Sequence, residues 1–214
     1  MLLFAAKDRP VDRFKSLETA AKARSRGNRK RAIAEYRRIL KAQPEDHEVH
    51  GKLAPLLVEN REPEAAWASY LAAGEGYFAK GFVDKAIAMF KLAVSQLPGQ
   101  VEAWERVADL YLERGRRADA LKALRDARFV YRGRAERPKA LRVMRRVLDI
   151  EPDRFDAKLD VAWLLAKTGE REEAGAMLDG LLPETVGRER RQVRRALFFL
   201  RPTPASLWRW WLGR

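Results

Sequence analysis

Residues 85–99, KAIAMFKLAVSQLPG, place Ala86, Ile87, Phe90, Ala93, Val94 and Leu97 at steps of three and four and then stop at Pro98-Gly99. That spacing puts these six side chains on one face of a helix, and the proline ends it. The same phrase occurs earlier in RAIAEYRRILKAQPE (31–45) and later in KALRVMRRVLDIEPD (139–153), so that Ala32, Ala86 and Ala140 are evenly spaced, as are Pro44, Pro98 and Pro152. A match at a fixed step, here 54, is the signature of a repeat array, in which each unit buries one face against its neighbour while its charges drift.

Outward from these phrases the register continues without a gap. Leu53 aligns with Val107 and Val161, Ala54 with Ala108 and Ala162, Ala66 with Ala120 and Ala174, and Tyr70 with Leu124 and Leu178. The division that follows is a lead and first helix over 1–26, three blocks over 27–80, 81–134 and 135–188, and a basic, tryptophan-rich cap and tail over 189–214. In each block a second helix follows the proline, near 47–60, 100–114 and 154–168, with Gly115 and Gly169 at the ends of the last two. A third, longer helix is expected over 63–80 and 117–132. Pro183 is expected to break the pattern, and 184–200, with Arg188, Arg190, Arg191, Arg194 and Arg195 beside Val193, Leu197 and Leu200, has the amphipathic form of a terminal cap.

Composition narrows the class. The 214 residues are 47% hydrophobic and 35% charged, which is a folded, well-solvated chain. Without cysteine there is no disulfide, thiolate zinc site or cysteine nucleophile, and a reducing, cytoplasmic location is expected. No run approaches the ~18 apolar residues of a spanning helix, and the opening Met-Leu-Leu-Phe-Ala-Ala is too short for a secretory core. The net charge of +14 is spread over alternating zones, with 1–46, 113–150 and 184–214 basic and 47–112 and 151–183 acidic, rather than gathered into the single stripe of a nucleic-acid binder.

No motif carries catalysis, and the expected catalytic, cofactor and metal residues are none. His47 and His50 lie three apart without the third and fourth ligand a metal needs. Gly74, Gly76 and Gly81 have no preceding strand and match no phosphate-binding fingerprint, so Gly74 and Gly76 are expected to serve close helix approach.

The residues resemble the tetratricopeptide repeat, whose helix pair of about 34 residues carries W-x2-L-G-x2-Y, A-x3-F and P. Trp104, Val107, Ala108 and Tyr111 stand at the spacing of its first helix, and Ala32/Tyr36/Pro44 and Ala86/Phe90/Pro98 at that of its second. The step of 54 exceeds that length by one helix, which suggests a three-helix variant whose long helices are shared between successive pairs. The resemblance covers about 11–182. It implies an all-α, right-handed solenoid of antiparallel helix pairs with Trp104 and Tyr111 in the core, acting as a non-catalytic scaffold or adaptor for a protein partner.

In the family, partners lie in a concave groove formed by the first helices. Carried over, the groove residues are Glu48 and Lys52; Glu102, Glu105, Asp109 and Glu113; and Asp156, Leu159 and Trp163, an acidic surface with Trp163 as an apolar anchor for a basic or amphipathic helical segment. The bland alternative is that these acids only solvate the array. Positive charge is then expected on the outer helices, at Arg37, Arg38, Lys41, Arg125, Arg128, Arg142, Arg145 and Arg146. An alternative function uses those arginines and the tail, with Arg194, Arg195, Trp208, Arg209, Trp210 and Trp211 as contacts, to bind polyanions, either an anionic membrane surface, weakly, or, less favoured, nucleic acid. The tail has three readings, a cap folded over the last repeat, a membrane contact and a partner pocket.

Overall fold

A computed structural model describes residues 12–201, and within them eleven helices and no strand. The chain packs as two compact units that divide between Arg114 and Gly115, inside the second sequence block. The first unit holds α1 (Arg13–Ser25), α2 (Arg29–Ala42), α3 (His47–Glu59), α4 (Pro63–Ala79), α5 (Val83–Gln96) and α6 (Val101–Glu113). The second holds α7 (Arg117–Val130), α8 (Arg137–Ile150), α9 (Phe155–Thr168), α10 (Arg171–Glu184) and α11 (Gly187–Leu200). Within each unit, successive helices pack on one another in chain order, and next-but-one contacts join α3 to α5 and α9 to α11. That is the stacking rule of an α-solenoid.

Helix starts keep the step of the sequence, at Arg29, Val83 and Arg137, at His47, Val101 and Phe155, and at Pro63, Arg117 and Arg171. The reasons are local. The proline-ended helices stop two residues before Pro44, Pro98 and Pro152. The second helix of each block is followed by a left-handed residue, Arg61 (φ 63°), Gly115 (φ 68°) or Gly169 (φ 106°). At the first and third of these, Glu62 N–H donates to Leu57 C=O and Glu170 N–H to Leu165 C=O, each 2.9 Å, closing the orphan carbonyls of the helix end. Asp12, Asn28 and Asp46 cap α1, α2 and α3, accepting from the backbone N–H three residues on.

Ala32, Ala66, Ala86, Ala93, Ala103, Ala120, Ala127, Ala140 and Ala174 are wholly buried at helix contacts, around Tyr70, Phe90, Leu110, Leu124 and Leu165. Alanine at these crossings lets helix axes approach and leaves the large side chains to fill the layers between. Gly74 and Gly76 serve the close approach expected of them. A Cβ on Gly74 would stand 2.4 Å from the Phe90 ring, and one on Gly76 2.4 Å from the His47 Cβ.

Three expectations are corrected. The third helix of the second block is not long: α7 ends at Val130 with 14 residues, so that α4, with 17, stands alone in that respect. Gly133 and the turn from Tyr131 to Glu136 intervene where α4 continues through Tyr77 and Phe78. Pro183 does not interrupt α10, which runs to Glu184 with the proline in its last turn. Trp104 and Tyr111 are not core residues but half-buried; the core of α6 is Val101, Ala103, Val107, Ala108 and Leu110.

Candidate functional site

The two histidines are held by structural contacts. His47 is buried and meets the Tyr77 ring edge-on, centroids 4.7 Å apart. His50 places Nε2 2.9 Å from the Pro44 carbonyl, and at the same place in the next block Trp104 Nε1 donates to the Pro98 carbonyl at 3.2 Å. A ring nitrogen from the second helix thus satisfies the proline carbonyl of the preceding turn in both blocks, which explains why Trp104 sits at the surface edge. Among the described residues no group of three or more acidic or histidine side chains could hold a metal ion.

The nine residues expected in the groove fall into different surroundings. On α3, Glu48 is exposed, accepts from Arg13 at 3.1 Å and lines a polar recess of about 420 Å³ with Asp46 and Lys80, while Lys52 points to solvent. On α6, Glu102 accepts from Gln100 at 2.7 Å, Glu105 is half-buried, Asp109 lies 3.9 Å from Arg106, and Glu113 is exposed. Arg106 also pairs with Glu75 at 2.5 Å. On α9, Asp156 pairs with Arg154 at 2.8 Å. That hydrogen bond holds the Asp156 carboxyl below the usual carboxylate range. Burial pushes Asp46 upward, but the Arg13 guanidinium and the Val49 N–H outweigh it and leave Asp46 below its ordinary value.

Several of the outer arginines are similarly engaged. Arg37 pairs with Glu62, and their equivalents in the third block, Arg145 and Glu170, meet at 3.5 Å, with Glu173 at 2.9 Å from the same guanidinium. Arg128 grips Asp160 with two bonds of 2.7 and 2.9 Å, Arg146 reaches Asp149 and Arg38 reaches Glu35. Much of the positive charge is therefore neutralised by carboxylates on the chain itself. Among the described residues no helix is long and apolar enough to cross a membrane.

Two of the expected residues do converge, in the second unit. Leu159 and Trp163 line a cavity of about 530 Å³ whose other walls are α10 and α11. Leu178 of α10 is its floor, and Ala196, Phe199 and Leu200 of α11 face α9 across it. Below lies the packed cluster of Ala162, Leu178, Leu181 and Val193. Trp163 is 45% exposed and Phe199 68% exposed. The Arg137 guanidinium stands 5.5 Å from the centroid of the Trp163 ring, and that of Arg195 5.9 Å from the centroid of Phe199. Arg195, one of the tail contacts expected from sequence, lies on the cavity rim; Arg194, beside it on α11, is exposed. Trp208, Arg209, Trp210 and Trp211 lie outside the described residues. Sequence reasoning missed Phe199, Lys167 and Arg171; the step from Gln192 through Arg195-Ala196 to Phe199-Leu200 is the signal that puts one face of α11 on the cavity.

An all-α stack of helices joined by short turns, each packed on its neighbour in chain order, defines a helical-repeat protein. Family models described as tetratricopeptide repeat match residues 17–76, 71–136 and 136–197, and the chain belongs to that family. No curated protein matches it. Among solved structures it is similar to the MamA protein, at 19% identity over 80% of this chain and 91% of that one with a TM-score of 0.30. It is also similar to a tetratricopeptide repeat protein from Parabacteroides merdae, at 14% identity over 87% and 86% with a TM-score of 0.30. A third likeness is to pilF of Pseudomonas aeruginosa, at 16% identity over 94% and 97% with a TM-score of 0.28. The family assignment rests on the matched repeats and not on these likenesses.

Proposed function

We propose that this chain is a non-catalytic interaction scaffold whose second unit receives a segment of a protein partner in the cavity between α9, α10 and α11. The family supplies the general class, since tetratricopeptide repeat proteins are scaffolds that bind protein partners. The observation that carries the site is the cavity itself, open to solvent, lined by Leu178 and walled by Trp163 and Phe199, which brings exposed aromatic surface together at a concave place. Exposed aromatic surface at a concave site is what a binding anchor needs. Trp163 and Leu159 act here as the apolar anchor; of the expected acidic residues, Glu48, Asp109 and Asp156 meet Arg13, Arg106 and Arg154, and Glu102, Glu105 and Glu113, with Lys52, have no part in this cavity.

The test is selection of helical peptides from a display library on the full-length chain, followed by binding to a Trp163→Ala/Phe199→Ala double variant. Both rings are substantially exposed, so the variant should melt within about 1 kcal/mol of the parent. Selected peptides should lose at least tenfold in affinity on it. Peptides that bind both proteins equally would place recognition elsewhere.

A further inference from the structure

We infer that the segment taken by the α9–α11 cavity is an acidic amphipathic helix, with aliphatic or aromatic side chains on one face and aspartate or glutamate on its flanks. This rests on the cavity being the partner site. Three observations carry the chemistry.

Shape comes first. The cavity extends along α9 from Leu159 to Lys167 and along α11 from Gln192 to Leu200. Those nine residues of helix rise about 12 Å over eight steps, a little over two turns, which matches an apolar stripe at positions i, i+3, i+4 and i+7 of an incoming helix.

The rim is charged with one sign. Lys167 of α9, Arg171 of α10 and Arg195 of α11 stand around the opening, one from each wall, and among the described residues no aspartate or glutamate lines it. None of the three meets a carboxylate among the described residues, unlike Arg37, Arg128 and Arg145. Arg137 adds a fourth cation over Trp163, and the exposed Arg188, Arg191 and Arg194 extend the positive surface along α11.

The third observation weighs against the nearest competitor, the chain's own tail. The chain that follows α11, residues 202–214, carries Arg209 and Arg214 and no acidic residue, so its charge opposes the rim. A partner with carboxylates beside its apolar stripe is complementary where the chain's own tail is not.

Three fluorescein-labelled peptides of about 16 residues, long enough to form helix on binding, test this against the full-length chain by fluorescence anisotropy. One has a Leu/Phe face flanked by Glu, the second the same face flanked by Lys, and the third the Glu flanks with a Ser/Gln face. The Glu-flanked peptide should bind at least tenfold more tightly than the Lys-flanked one and weaken with added salt. Lys167→Glu/Arg171→Glu/Arg195→Glu should invert that order, and Trp163→Ala should weaken both, with circular dichroism melts confirming that the variants fold. Equal or tighter binding of the Lys-flanked peptide, still lost on Trp163→Ala, would overturn the acidic assignment and leave the cavity reading standing. No binding by either peptide, or binding indifferent to Trp163→Ala, would overturn both. Equal binding of the Ser/Gln-faced peptide would reduce the site to a surface for any polyanion and sink the proposal. So would a Glu-flanked peptide that binds only after Trp208→Ser/Trp210→Ser/Trp211→Ser, because the tail would then be the occupant.

Discussion

Arg61 is the one described non-glycine residue with positive φ, at 63°. It occupies the place in its block that Gly115 and Gly169 occupy in the next two, where the same left-handed position is held at 68° and 106°. An L-residue there pushes its Cβ toward the following carbonyl at a cost of about 1–2 kcal/mol, whereas glycine carries no such cost. Glycine's greater freedom in the unfolded chain returns about 0.5–1 kcal/mol of that. The Arg61 side chain is exposed and makes no hydrogen bond or ion pair among the described residues, so nothing else is lost with it. Arg61→Gly should therefore stabilise the first unit by about 0.5–1 kcal/mol, a rise of a few degrees in Tm for a unit of this size. Arg61→Ala is the control: it removes the same charge but keeps the Cβ, and should stay within about 0.3 kcal/mol of the parent. Urea unfolding followed by circular dichroism reads both. Equal stabilisation by alanine and glycine would make charge, not backbone strain, the cause, and no stabilisation by glycine would mean the turn is not strained.

Gly74→Ala and Gly180→Ala should move stability in opposite directions. Alanine gains about 1 kcal/mol of helix propensity at either place. At Gly74 the new methyl meets the fully buried Phe90 ring at 2.4 Å, and overpacking of about 1–3 kcal/mol outweighs the gain; at Gly180 nothing lies within 4 Å. Urea midpoints that rise for both would contradict the tight α4–α5 contact. Trp104→Phe should cost only the hydrogen bond to Pro98, about 1 kcal/mol, and Trp104→Ala should fall short of the roughly 3–5 kcal/mol of a core tryptophan; reaching that cost would return Trp104 to the interior. Asp46, its carboxyl depressed on balance, contributes stability that is present above its unfolded pKa of about 4 and is lost as pH falls through the folded value. Arg13→Met should therefore shrink the loss of stability between neutral and strongly acid pH, and an unchanged acid limb would remove the Arg13–Asp46 pair from that role.

Much of the helix framework was legible because it is written locally. Apolar residues at steps of three and four, prolines two residues beyond a helix end, and Gly115 and Gly169 after the second helices place most boundaries within a residue or two. The errors arose where partners distant in sequence decide. Trp104 and Tyr111 matched the motif positions of a buried pair, yet close packing of α6 chose the smaller Ala103 and Ala108 for the interior. The indole then does what the imidazole of His50 does one block earlier, and two residues so unlike in type hide a shared hydrogen-bonding role. The family resemblance puts Leu159 and Trp163 on a groove-facing side of their helix. Their cavity could not be read in that way, because it depends on the phase of α11, which begins at Gly187, ahead of Arg191, where a further step of the repeat from Arg137 would start a helix.

That shift gives the second unit its asymmetry. In the first and third blocks the repeat pairs Arg37 with Glu62 and Arg145 with Glu170, while the same two places in the second block hold Lys91 and Arg116. On α11 the register is broken, and Arg188, Arg191, Arg194 and Arg195 have no carboxylate partners among the described residues. Phe199 of α11 and Trp163 of α9 both stand exposed on the cavity. Unmatched positive charge and exposed aromatic surface coincide on one cavity. A ligand satisfying both must present apolar and acidic groups about two helical turns long, which makes charge reversal on the rim and removal of Trp163 separable perturbations of a single site.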